Sequence, residues 1–221
     1  MKDFDYAHFD TSAGERKSVT AKFNPANVPE QIQIMRQSAF ARSIPTADDE
    51  TLNFLCTIVS AVKPKSILEL GTAVGISGAA MLNICADAHL TTVEREEEFH
   101  AEAVQNFASL KLQNRVTALC GDAGEVIAKI DEKYDFIFLD CAKVQYIKYL
   151  PKLKSLLKSG GVLVADDVLL YGWITGETQV PKKRKMLAMH VAEFVEAVTH
   201  DCELTTTILN IGDGVSLSVK K

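Results

Sequence analysis

From Ser66 onward the chain alternates short apolar runs with amphipathic stretches, and most of the apolar runs stop on an acid or a glycine. "SILELG", "HLTTVE", "VTALCGD", "YDFIFLD" and "VLVADDVL" have the length and the β-branched or aromatic content of strands. Between them, "GISGAAMLNICAD", "EEEFHAEAVQNFASLKL", "AGEVIAKI" and "VQYIKYLPKLKSLLKSGG" read as helices, the last containing Pro151 and running to a glycine stop. Strands alternating with helices at this spacing leave few options: parallel βαβ units in an α/β, doubly wound sheet. After a further helix, "KKRKMLAMHVAEFVEAVTHD", the chain closes with "LTTTILNIGDGVSLSVKK". Gly212-Asp213-Gly214 joins two strand-like runs there, a hairpin signal that adds antiparallel strands at one edge of the sheet.

The N-terminal part is simpler. Residues 1–25 are polar without clear periodicity, and a helix is expected between Pro29 and Ser43, with breakers on both sides. "TADDETLNFLCTIVSAVKP" predicts another helix, with Thr46 as N-cap and Leu52, Leu55, Ile58, Val59 and Val62 on its apolar face. A length of 221 residues suits one domain. The net charge of −5 excludes a polycation that seeks nucleic acid over its whole surface, while leaving room for a local basic patch. No apolar run approaches the roughly 20 residues of a membrane span, so no membrane partner is expected. Five scattered cysteines without a CxxC pair read as reduced thiols, and no signal peptide is evident, so a cytoplasmic location is expected.

In open parallel sheets, ligands bind beyond the carboxyl ends of the strands. Asp140 ends one apolar run, and Asp166 and Asp167 end another. One acid at such a place would be explained as a cap or a turn former. Three acids at two strand ends repel unless a cation lies between them, and hard oxygen donors favour Mg²⁺, Mn²⁺ or Ca²⁺. In "LELGTAVGIS", Glu69, Gly71 and Gly75 surround a strand-to-helix turn, with neither the GxGxxG pattern of dinucleotide folds nor a P-loop. The missing GxGxxG counts against a nicotinamide-dependent oxidoreductase. Glu94, at the end of the next strand, is placed to accept ribose hydroxyls, and Asp122 to meet the base of the same nucleoside. Either acid alone could as well be a helix cap.

Together "ELGTAVGIS", "VERE", "GDA", "FLDCAK" and "VADDVL" resemble the cation-dependent class I O-methyltransferases, the catechol and caffeoyl-coenzyme A type, in order and at the family's spacing over about residues 44–221. Residues 1–43 would then be a helical and irregular N-terminal segment, and 44–221 the methyltransferase domain. The resemblance implies a Rossmann-like sheet of seven mostly parallel strands, with S-adenosylmethionine at the strand carboxyl ends and commonly a homodimer. It implies that Glu69, Gly71 and Gly75 lie along the cofactor, that Ser77 bonds its carboxylate, and that Glu94 holds the ribose. Asp122 and Ala123 would contact adenine, with Asp140 also beside the cofactor. Asp140, Asp166 and Asp167 match the metal ligands, and Lys143 matches a lysine proposed as general base; kept charged, it would instead stabilise the oxyanion. The family usually has Asp-Asn where this chain has Asp166-Asp167, which raises the ligand charge to −3.

The acceptor stays open between two classes. A catechol-like small molecule would place two oxygens on one ion. The C-terminal half also resembles a bacterial branch that methylates 5-hydroxyuridine in the anticodon loop of transfer RNA, and there Lys182, Lys183, Arg184 and Lys185 would grip phosphates. Tyr146, Tyr171 and Trp173 are candidates for the acceptor wall, or for packing. A catalytically inactive fold that binds a nucleoside and regulates a partner is the non-enzyme alternative. Ile32, Ile34, Met35 and Phe40 would pack on a partner or over the site.

Overall fold

A computed structural model describes residues 21–221. What was expected of residues 1–20 therefore lies outside the described part of the chain. Seven strands form one sheet in the order β3-β2-β1-β4-β5-β7-β6. They are β1 Ser66–Leu70, β2 His89–Glu94, β3 Val116–Cys120, β4 Tyr134–Leu139, β5 Leu157–Ala165, β6 Leu204–Leu209 and β7 Val215–Lys220. The first five pair in parallel, while β7 runs antiparallel to both β5 and β6. The closing hairpin thus extends the sheet on its β5 side, with β7 nearer the centre.

The helices are α1 Glu30–Ala41, α2 Asp49–Val62, α3 Ile76–Ile84, α4 Glu97–Ser109, α5 Ala123–Lys129, α6 Tyr146–Leu156 and α7 Lys185–His200. Alternate strand residues feed two cores. Phe136, Phe138, Val162 and Val164 face Leu52, Leu55 and Phe107 of α2 and α4, whereas Ile137, Leu139, Leu163 and Ala165 face Tyr146, Leu153 and Phe194 of α6 and α7. Burial on both faces is why these strands read as nearly unbroken apolar runs. From α1, Ile32 and Ala39 join the first core, while Ile34 and Phe40 stay exposed. No helix among the described residues is long and apolar enough to cross a membrane.

Two boundaries differ from expectation. The N-cap of α2 is Asp48, whose Oδ1 accepts the Thr51 N–H at 2.7 Å, and Thr46 remains in the preceding loop. Helix α6 stops at Leu156, and β5 already begins at Leu157, which pairs with Tyr134 before a register shift. The glycines that suggested a helix stop instead lie inside this irregular strand entry, with Gly160 at φ +76°.

Candidate functional site at the carboxyl ends of the strands

The strand order reverses direction between β1 and β4, and there the carboxyl ends open into a cleft. Pro45, Thr46 and Ala47 wall one side of it, with Gly71, Ser77 and Asp140 on the other. Gly71 permits the close approach of the two strand ends. A Cβ built on it would lie 1.9 Å from the Asp140 carbonyl oxygen, and its φ of +105° suits glycine alone.

Beneath this cleft sits Glu69, fully buried. Ser77 Oγ donates to one of its oxygens at 2.6 Å and Thr92 Oγ1 to the other at 2.5 Å, and Thr92 in turn shares a hydrogen bond with Thr72. Burial pushes the Glu69 carboxyl up to about 7 against the pull of these two hydroxyls. Glu69 therefore braces Ser77, one of the residues that line the cleft. At Gly75, where φ is +87°, a Cβ would meet the Phe107 ring at 2.9 Å, so a bare residue there lets α3 pack against α4.

Along the same edge, Glu94 accepts the Ala73 N–H at 2.8 Å through one oxygen and the Arg95 and Glu96 N–H groups through the other. Asp122 caps α5 by accepting from Gly124 and Glu125, with Ala123 as the first helical residue. Both acids thus stand at strand ends and both brace backbone turns, Asp122 as the cap that the sequence offered.

The acids after β4 and β5 converge on one ammonium. Lys143 Nζ lies 2.7 Å from Asp140 Oδ1 and 2.8 Å from Asp167 Oδ2. Burial opposes its charge, but Asp140 and Asp167 outweigh that and hold it well above the ordinary lysine range. Asp166 is 3% exposed; its Oδ1 accepts the Asp167 N–H at 2.8 Å and the Thr51 hydroxyl at 3.4 Å. Burial, then the charges of Asp167 and Asp140, raise its carboxyl well above the usual range. Among the described residues, no three acidic, histidine or cysteine side chains stand in the arrangement of a metal centre. The donor chemistry alone suits a hard cation: the negative charges of Asp140 and Asp167 both act on Asp166, and Lys143 is the positive charge set against them.

Of the two roles open to Tyr146, its surroundings match packing: it is fully buried, donates to the carbonyls of Leu139 and Asp166, and packs edge-on against Phe194. It ties the two acid-bearing strand ends together and is no part of an open wall. Tyr171 and Trp173 are half-buried in the loop after β5, with ring centroids 5.2 Å apart. Lys182, Lys183 and Lys185 are exposed at the entry to α7, and Arg184 is near enough to Tyr171 for its charge to act on the phenol. Sequence reasoning missed Thr72 and Thr92, whose polar side chains in buried positions were the available signal, and also missed the Asp48–Thr51 cap that reaches Asp166.

A Rossmann-like sheet with a cleft at its switch point, followed by acids and a lysine at the next strand ends, is the arrangement of an S-adenosylmethionine-dependent methyltransferase of class I, and the relatives of the chain bear this out. The chain belongs to the O-methyltransferase family, which it matches over residues 24–221. Among curated relatives, a candidate O-methyltransferase of Mycobacterium tuberculosis is 31% identical over 169 residues, 75% of this chain and 74% of the relative. Among solved structures, a candidate caffeoyl-CoA O-methyltransferase from Staphylococcus aureus is 33% identical with a TM-score of 0.80, covering 87% of this chain and 93% of that one. The O-methyltransferase from Bacillus cereus, solved with S-adenosylhomocysteine, shares the fold at 23% identity and a TM-score of 0.78, over 87% of this chain and 91% of its own.

Proposed function

We propose that this enzyme transfers the methyl of S-adenosylmethionine to an acidic hydroxyl flanked by a second oxygen, and that the acceptor is 5-hydroxyuridine in transfer RNA. The observation that carries the reading is the joint placement of Lys143, Asp140 and Asp167 beside the cleft of Gly71 and Ser77. The sulfonium methyl is already electrophilic, so the work falls on the acceptor oxygen. A phenol-like hydroxyl with a pKa of about 10 supplies little oxyanion at neutral pH. Lys143, held as an ammonium by two carboxylates, is better suited to stabilise that oxyanion than to take its proton, so of its two expected roles the electrostatic one is favoured. The cleft floor positions the donor, and the mutually tilted Tyr171 and Trp173 rings offer aromatic faces for the acceptor, so that oxygen, methyl and sulfur align.

Asp140, Asp166 and Asp167 are the residues that would hold a divalent ion such as Mg²⁺. When bound, such an ion lowers the pKa of a coordinated hydroxyl. The exposed lysines at the entry to α7, flanking an Arg184 whose charge acts on Tyr171, favour an acceptor that carries phosphates over a free catechol. The deciding assay uses labelled donor and the purified protein, with and without chelator, on transfer RNA lacking the modification and on small catechols. Transfer to the RNA alone, lost on chelation and weakened when Lys182, Lys183, Arg184 and Lys185 are neutralised, is the expected result. Transfer to catechol alone would overturn the RNA reading, and turnover untouched by chelator would overturn the metal.

A further inference from the structure

The loop that follows β5 is backbone-strained, and it is held both by its own hydrogen bonds and by a second segment of the chain. Asp167, Leu170 and Tyr171 have φ of +56°, +44° and +56°, values that side-chain-bearing residues seldom adopt. Such a stretch persists only where its surroundings over-determine it. The surroundings here are the turn between β6 and β7, far away in sequence. Val168 N–H donates to the Gly214 carbonyl at 2.9 Å and Leu169 N–H to the Asp213 carbonyl at 3.0 Å. The only side chain in this set of contacts is the Asp213 carboxylate, whose Oδ1 accepts the Tyr171 N–H at 2.5 Å. The turn is itself wedged tightly. A Cβ on Gly214 would lie 2.3 Å from Leu169 Cγ, and one on Gly212 would lie 2.0 Å from Oδ2 of Asp48, the cap of α2.

We propose that Asp213 is a positioning residue for the acceptor site: by holding the Tyr171 N–H it sets the Tyr171–Trp173 wall. This inference rests on the proposed acceptor reading of that wall. Asp213 touches neither donor nor acceptor in this account. It acts through the loop, so its removal should loosen the acceptor side and spare the donor side.

Trp173 is the single tryptophan in the chain, so its emission and acrylamide quenching report on this loop alone. Asp213→Ala removes the acceptor atom, while Asp213→Asn keeps an Oδ1 in place. In Asp213→Ala, quenching of Trp173 should rise about twofold and the acceptor KM about tenfold, with kcat changed less than about threefold and the donor dissociation constant within about twofold. Asp213→Asn should stay near the parent protein in all four. Unchanged quenching in Asp213→Ala overturns the proposal, whether or not any acceptor has been found. Altered quenching with an unchanged acceptor KM overturns the link between this loop and the acceptor. Equal damage in the Ala and Asn variants, with donor binding lost as well, would mark Asp213 as a general fold element and also overturn it. If the parent protein methylates neither RNA nor catechol, the acceptor reading fails on its own, and quenching still decides whether Asp213 holds the loop.

Discussion

Replacing Glu69 with glutamine should remove a specific pH dependence from the stability of the fold. Glu69 is fully buried, and its carboxyl is raised from an ordinary 4.5 to about 7, chiefly by burial. A raised folded pKa means that the folded state binds the proton more tightly than the unfolded chain does. The associated stability is fully present below pH 4.5 and is lost as pH rises through about 7. At about 1.4 kcal/mol per pH unit, that gap is worth about 3 kcal/mol, with the pull of the Ser77 and Thr92 hydroxyls already counted in it. Glutamine keeps the shape and is neutral at every pH; Thr92 can turn its hydroxyl toward Thr72 to accept from the new amide. The assay is urea unfolding of both proteins at a series of pH values between about 5 and 8, comparing differences so that other titrating groups cancel. The variant should gain on the parent protein steadily as pH rises, levelling above about 7. A difference between the two that stays constant across the series would refute the claim that Glu69 is held near neutrality by its burial.

Three further outcomes follow from named contacts. Gly71→Ala forces a Cβ onto the Asp140 carbonyl at a positive φ, and should cost about 2–4 kcal/mol of stability, read from a thermal melt; an unshifted melt would show that the strand ends are not in contact. Lys143→Gln should lower kcat by about 10²–10³ while donor affinity stays within about twofold by calorimetry, and retention of kcat would remove the oxyanion role. The Asp135 carboxyl, which burial alone would raise, is drawn down to about 2 by Lys158 and by the Ser66 and Lys65 donors. It therefore stabilises above its ordinary 3.8, and about 1–2 kcal/mol should vanish as pH falls from 3.8 to 2, a loss that Asp135→Asn abolishes in acid titrations followed by circular dichroism.

The sheet was legible because its evidence is local and repeated: each strand carries its own apolar run, each helix its own period, and the handedness of βαβ units fixes the rest. The acids at the strand ends were legible for the same reason, since chain direction alone places Asp140 and Asp166 on one edge. What each acid does there was not legible. Glu69 and Gly71 are two residues apart, so the strand pleat gives no reason why one should line the cleft and the other lie beneath it. That outcome depends on Ser77 and Thr92, contributed by two other elements. Tyr146 reads like Tyr171 in the sequence, as an aromatic just past an acid-bearing strand. Only the packing of α7, through Phe194, turns the first inward and leaves the second at the rim.

The same limit applies to the hairpin turn. Gly212-Asp213-Gly214 satisfies every local rule for a β-turn, and a local rule accounts for all three residues without remainder. Its contacts with Leu169, Tyr171 and Asp48 arise because β7 lies against β5, which brings a turn near the end of the chain beside a loop that begins at Asp166. A residue explained by its own neighbourhood can still hold a second role, and topology decides which. In this enzyme the turn between the two edge strands supplies the carbonyls and the carboxylate against which a strained loop is held, with Asp213 and Tyr171 meeting across 42 residues of chain.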